Sequence, residues 1–124
     1  MGQARQWQNQ IDLAGQYPQL RLALGLHPYF LDKAQDQDLS LLSDYIVKHK
    51  NQLVAVGEIG LDKTIDIDWQ QQLHFFTQQL GLAKTHALPV ILHHRKSHNE
   101  LIQTIKKQRF KHELFRKNYK ARSH

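Results

Sequence analysis

Residues 53–62 read Leu-Val-Ala-Val-Gly-Glu-Ile-Gly-Leu-Asp, an apolar run that ends on a carboxylate held between two glycines. The consecutive apolar residues Leu53, Val54, Ala55 and Val56 predict a strand buried on both faces, as in a parallel sheet covered by helices. Such a strand delivers Glu58 at its carboxyl end, where parallel α/β folds place their ligands. Gly57 and Gly60 remove side chains that would crowd that carboxylate. A charge at this position is costly unless a cation or a hydrogen-bond donor pairs with it.

The next apolar run, Pro89-Val90-Ile91-Leu92, ends in His93-His94-Arg95. If the two runs are adjacent parallel strands, Glu58 and His93 emerge side by side at one rim. A carboxylate and an imidazole form a partial site for a divalent metal. On the chemistry of the residues alone, a salt bridge from Glu58 to Arg95 or Lys63 is an equal reading. His94 points to the opposite face if its strand continues, which predicts a packed or surface histidine.

Working outward, Trp7, Ile11, Leu13 and Ala14 recur at helical spacing over residues 5–17, and Tyr17-Pro18 stops that helix. Leu20, Leu22, Leu24 and Leu26 alternate before His27-Pro28 and predict a strand. Asp36 or Asp38 is expected to cap a helix bearing Leu39, Leu42, Tyr45 and Ile46, which closes near residues 48–50, where positive charge suits a helix carboxyl end. From Asp68 onward Trp69, Leu73, Phe76, Leu80, Ala83 and Ala87 form one apolar stripe. Asn99 or Ser97 caps a last helix with Leu101, Ile102 and Ile105. The expected order is a helix followed by β-α-β-α-β-α, with right-handed parallel crossovers.

Four separated motifs carry a family resemblance: Leu24-Gly-Leu-His-Pro-Tyr29, Gly57-Glu-Ile-Gly-Leu-Asp62, Gln79-Leu-Gly-Leu-Ala83 and Leu88-Pro-Val-Ile-Leu-His-His-Arg95. In order and spacing they resemble the TatD-like metal-dependent deoxyribonucleases, a branch of the amidohydrolase-type barrels, from about Trp7 to about Phe110. The resemblance implies an α/β fold of parallel β/α units of TIM-barrel type, here a partial barrel of about three strands with crossover helices. It implies two divalent metal ions, with Mg, Mn and Zn not distinguished, and DNA or another phosphodiester as substrate. Glu58 matches the carboxylate that bridges the two metals, and His93 matches a ligand histidine; both are thereby expected to be catalytic. His27 matches a position that lines the substrate cleft and is carried over as a substrate contact.

Two further residues are placed by chemistry. Arg95 lies two residues past His93, on the same side, and suits a bidentate grip on a phosphate, with pairing to Glu58 or Asp62 as its structural alternative. Asp62 could orient a ligand histidine through an outer hydrogen bond, or merely cap a turn. His49, His74, His86, His98, His112 and His124 lie on predicted helices or in the tail and receive no role.

Length and charge set bounds. A complete (β/α)8 barrel takes about 250 residues, and the sequence has 124. The family's H-x-H pair has no match before Trp7, and its later histidine and aspartate motifs are not met after the Arg109-Phe110 region, where a late frame change or a truncated gene would account for the loss of pattern. Residues 106–124 hold eight of the 17 Lys and Arg and one of the 11 Asp and Glu, so the net charge of +6 belongs to the tail. The expected organisation is a partial barrel domain over residues 1–108 and a basic tail over 109–124, solvated or in contact with phosphates. The absence of cysteine excludes disulfides and thiolate metal sites and suits a reducing cytoplasm. No stretch predicts a membrane span or a signal peptide.

The reading is therefore a metal-dependent hydrolase, a deoxyribonuclease by resemblance, weak or inactive with an incomplete ligand set. Two alternatives remain: a hydrolase of small esters or amides with the same ligands, and a non-enzymatic remnant that covers its sheet edges by forming a homo-oligomer.

Overall fold

The computed structural model describes residues 2–108. The elements follow in the order α1 (Gly2–Gln16), β1 (Leu22–Leu24), α2 (Asp36–Lys48), β2 (Leu53–Asp62), α3 (Trp69–Thr85), β3 (Val90–Arg95) and α4 (His98–Lys107), with short 3-10 turns at Pro28–Phe30 and Lys50–Gln52. The strands form one parallel sheet in the order β1-β2-β3, so each neighbouring pair is joined by a helix. Among the described residues the molecule is thus a run of β/α units, as the sequence predicts. None of these helices is long and apolar enough to cross a membrane.

The core lies where helices meet the sheet: Leu24, Val56, Ile59, Leu61, Val90 and Leu92 from the strands meet Trp7, Leu42, Ile46, Phe75, Phe76, Leu80 and Leu101 from the helices. Trp7 is buried among them, and its indole Nε1 donates to the Gly25 carbonyl at 3.2 Å, which ties α1 to the end of β1.

Several local expectations are corrected. The strand expected over Leu20–Leu26 shortens to Leu22–Leu24, and Leu20 is exposed, because pairing with β2 begins at Leu22. Leu13 is likewise exposed while Trp7 and Ile11 face the core. The cap of α2 is Gln35, whose backbone N–H donates to Asp38 Oδ2 at 2.8 Å; Asp38 acts from the first turn instead of from the cap. Ser97 is the residue preceding α4, yet its hydroxyl donates to the Leu61 carbonyl at 2.8 Å and ties that helix to β2. Ala87 lies past α3 at φ 53°, outside the stripe assigned to it.

The central strand departs most from expectation. β2 runs on to Asp62, so Glu58 sits within it and not at its end. The register with β3 shifts between Gly57 and Ile59, a bulge that re-aims the side chain of Glu58. The glycines also serve a different purpose from the one expected. A Cβ at Gly57 would stand 2.8 Å from the Ile91 carbonyl oxygen, and one at Gly60, where φ is +156°, would stand 1.8 Å from the His93 carbonyl oxygen. They make room for the backbone of β3, and by that close approach they bring His93 to Glu58.

Candidate metal centre

Three side chains from three elements converge at the carboxyl-terminal side of the sheet. His27 follows β1, Glu58 projects from the bulge in β2, and His93 stands on β3; one potential ligand atom from each lies within 4.8 Å of the others. Glu58 Oε1 is 3.5 Å from His27 Nε2, and the His27 and His93 rings lie 4.6 Å apart between centroids. His93 is almost fully buried, whereas Glu58 and His27 are partly open to solvent.

Each member is held by the scaffold. The Asp62 carboxylate, completely buried, lies 2.8 Å from His93 Nε2. Asp62 also accepts from the backbone N–H and the hydroxyl of Thr64. Burial pushes its carboxyl up, but the hydrogen bonds from Thr64 and His93 together outweigh that penalty and hold it below the usual value for an aspartate. With its carboxyl held low, Asp62 is placed to accept the Nε2–H of His93. A carboxylate behind an imidazole in this way fixes its tautomer and raises its basicity as a ligand.

His27 has the opposite tautomer. Its Nδ1 accepts from the Tyr29 backbone N–H at 3.1 Å, so the neutral ring carries its proton on Nε2, which faces Glu58. Burial lowers the His27 pKa first and His93 lowers it further, while Glu58 and Asp62 push it back up; the net shift is downward, which favours the neutral ring at pH 7. Nε2 of His27 is therefore an N–H donor and lacks the lone pair a metal requires. Of the three, Glu58 and His93 supply a hard oxygen and an imidazole nitrogen, ligand types that suit a divalent ion.

The remaining sequence candidates are placed as follows. Arg95 is exposed at the end of β3. Lys63, one alternative partner for Glu58, is instead ion-paired with Glu100 and lies 5.5 Å over the Trp69 ring. His94 is buried with its ring 5.4 Å from that of His98. His112, His124 and the basic tail lie outside the described residues.

Two supporting residues escaped the sequence reading. Gln79 of α3, fully buried, accepts from the Leu26 N–H at 2.7 Å and donates to the Leu26 carbonyl at 3.2 Å, clamping the residue before His27. Gln72, one helical face-repeat earlier, accepts from the Asp62 N–H at 2.8 Å and donates to the Asp62 carbonyl at 3.0 Å. The signal was a pair of amides seven residues apart, in register with an apolar stripe. Amides at such positions must have buried partners, and here the partners are the ends of β1 and β2.

Comparison with known proteins agrees with this geometry. The family model described as TatD related DNase matches residues 2–122. An uncharacterized metal-dependent hydrolase of Escherichia coli, YjjV, is 42% identical over 98 residues, covering 78% of this chain and 38% of its own length. A 3'-5' ssDNA/RNA exonuclease TatD of Erwinia tasmaniensis is 34% identical over 101 residues, covering 80% of this chain and 38% of its own. The crystal structure of E. coli YjjV superposes with a TM-score of 0.80 at 38% identity, over 86% of this chain and 42% of that one. The chain thus spans about two fifths of the length of these relatives, and it belongs to the TatD-related DNase family.

Proposed function

We propose that this chain carries part of a divalent-metal-dependent phosphodiesterase site, acting on nucleic acid, with Glu58 and His93 as metal ligands. The observation that carries the reading is the buried Asp62 carboxylate 2.8 Å behind His93, on a histidine that already shares a 4.8 Å cluster with Glu58. A structural aspartate would be served as well by any donor. Here it stands behind an imidazole that lies in one cluster with a second, partly solvated carboxylate. The family and the nuclease names among its members support the substrate class.

Divalent ions bound there would lower the pKa of a bound water and neutralise charge on the phosphate. Glu58 and His93 would hold such ions through a carboxylate oxygen and an imidazole nitrogen. Asp62 keeps His93 in the ligating tautomer. The Nε2–H of His27 donates to a phosphate oxygen brought against Glu58, which places that phosphate beside the ligands. Arg95 reaches the phosphate chain from the end of β3 as a charge-assisted donor. Because two side chains leave most coordination positions to water, the affinity for metal is weak and cleavage by this chain is slow or absent.

Calorimetric titration of the pure protein with Mn2+ and Zn2+, alongside cleavage of a labelled oligonucleotide, tests the reading. Weak binding that disappears in Glu58→Gln and in His93→Ala is expected. No binding, or binding indifferent to both substitutions, would refute the metal site; tight binding with rapid cleavage would refute the claim of weakness.

A further inference from the structure

We propose that Tyr29 and Phe30 form a stacking platform for an unpaired nucleobase beside the phosphate held at the metal ligands. The inference rests on the phosphodiesterase reading and names the part of the substrate that the metal ligands do not touch.

The two rings are presented to solvent by a rigid turn. Tyr29 and Phe30 are 46% and 52% exposed, whereas the residues on either side of them, Pro28 and Leu31, are buried. The turn is closed by hydrogen bonds from the N–H groups of Phe30 and Leu31 to the carbonyls of His27 and Pro28, at 3.0 and 3.2 Å. Its far side is anchored by Gln71 of α3, whose Nε2 donates to the carbonyls of Leu31 and Ala34. The fold thus buries Pro28 and Leu31 in packing, whereas the two aromatic rings between them touch the histidines of the cluster on one side and leave about half their surface to solvent. Among the described residues the other phenylalanines, Phe75 and Phe76 on α3, are buried.

The rings also border the metal cluster. The Tyr29 centroid lies 4.5 Å from that of His27 and 5.4 Å from that of His93, inclined at 68° and 75° to them. Phe30 lies 6.2 Å from His27 and shares with His27, Gly57 and Glu58 the lining of a cleft of about 140 Å³. A phosphate held between Glu58 and His27 therefore has an exposed aromatic surface within the length of one nucleotide. Bases stack on such surfaces regardless of identity, but only when they are free of a duplex partner.

The test uses the full chain and two fluorescein-labelled hexamers, one of thymidylate and one abasic, both phosphorothioate-linked to suppress cleavage, with binding followed by anisotropy in Mg2+. Wild type is expected to prefer the thymidylate by roughly 5- to 100-fold, the range that loss of one stacked base spans. The double variant Y29A/F30A should bind both hexamers with the affinity wild type has for the abasic one. Tyr29→Phe should keep the preference, because it keeps the ring. An unchanged urea midpoint for the double variant shows that the exposed substitutions leave the fold intact. Equal binding of the two hexamers by wild type, undetectable binding of either, or a preference that survives Y29A/F30A overturns the platform. A parallel Mn2+ titration separates the two readings: Mn2+ uptake with no base preference overturns the platform alone. Base preference without Mn2+ uptake keeps the platform and overturns the metal site.

Discussion

At the scale of single residues, the site turns on how two histidines and two carboxylates are paired. Asp62 is buried and acceptor-saturated, and it belongs to His93; His27 is pinned through Nδ1 to the Tyr29 backbone and can only donate toward Glu58. The two imidazoles of the cluster are thus held differently, His93 through Nε2 by Asp62 and His27 through Nδ1 by the Tyr29 backbone. Replacing Asp62 by Asn removes the negative charge and, with Thr64 donating to the one remaining oxygen, turns an amide NH2 toward His93, so divalent affinity measured by calorimetry should fall by about 10- to 100-fold. Asp62 also sets an acid limit on stability. Its folded pKa lies below the ordinary aspartate value, so on acidification the unfolded chain takes up the proton first. The stability it contributes is complete above the ordinary aspartate pKa and is lost as pH falls through the lower folded value. Urea midpoints should therefore drop between pH 5 and pH 3 in wild type, and Asp62→Asn should flatten part of that drop.

At the scale of elements, α3 and the glycines of β2 do the positioning. Gln72 and Gln79 clamp the ends of two strands from one helix, so a shift of α3 would move Asp62 and His27 together. The path from β2 to His93 runs instead through a missing side chain. Gly60 has φ +156°, and a Cβ there would lie 1.8 Å from the His93 carbonyl, so the neighbouring backbone would have to move. Gly60→Ala is expected to cost about 3 kcal/mol of stability, read from urea unfolding, and to abolish metal binding in whatever fraction stays folded. Loss of stability without loss of metal binding would show that β3 can yield and still return His93 to Glu58.

At the scale of the whole molecule, the described residues form a three-stranded parallel sheet with β1 and β3 at its edges. Parallel sheets are ordinarily covered on both faces and closed or flanked at their edges. Here even the central strand has an exposed apolar side chain, Val54 at 43%, and Leu20 beside β1 is 41% exposed. Such a surface favours association. Static light scattering across a hundredfold concentration range should report a mass above that of one chain, rising with concentration; a constant monomer mass would exclude it. Neighbouring strands of a parallel barrel are where further ligands stand, and among the described residues only Glu58 and His93 are proposed as ligands, which is why weak metal binding is expected.

What the sequence determined by itself was the order and type of the elements and the two strands that matter most. Apolar runs and helical stripes are local patterns, and β2, α3 and β3 are legible in residues 53–62, 69–85 and 90–95 without any knowledge of contacts. The motifs likewise marked Glu58, His93 and His27 as one group. Only the tertiary structure decided how those residues work. The bulge that aims Glu58, the contact that orients His93, the glycines that admit the backbone of β3 and the glutamines that hold two strand ends all depend on partners 10 to 53 residues away. Hydrophobic periodicity records which side of an element is buried, but a hydrogen bond between distant residues leaves no period in the chain.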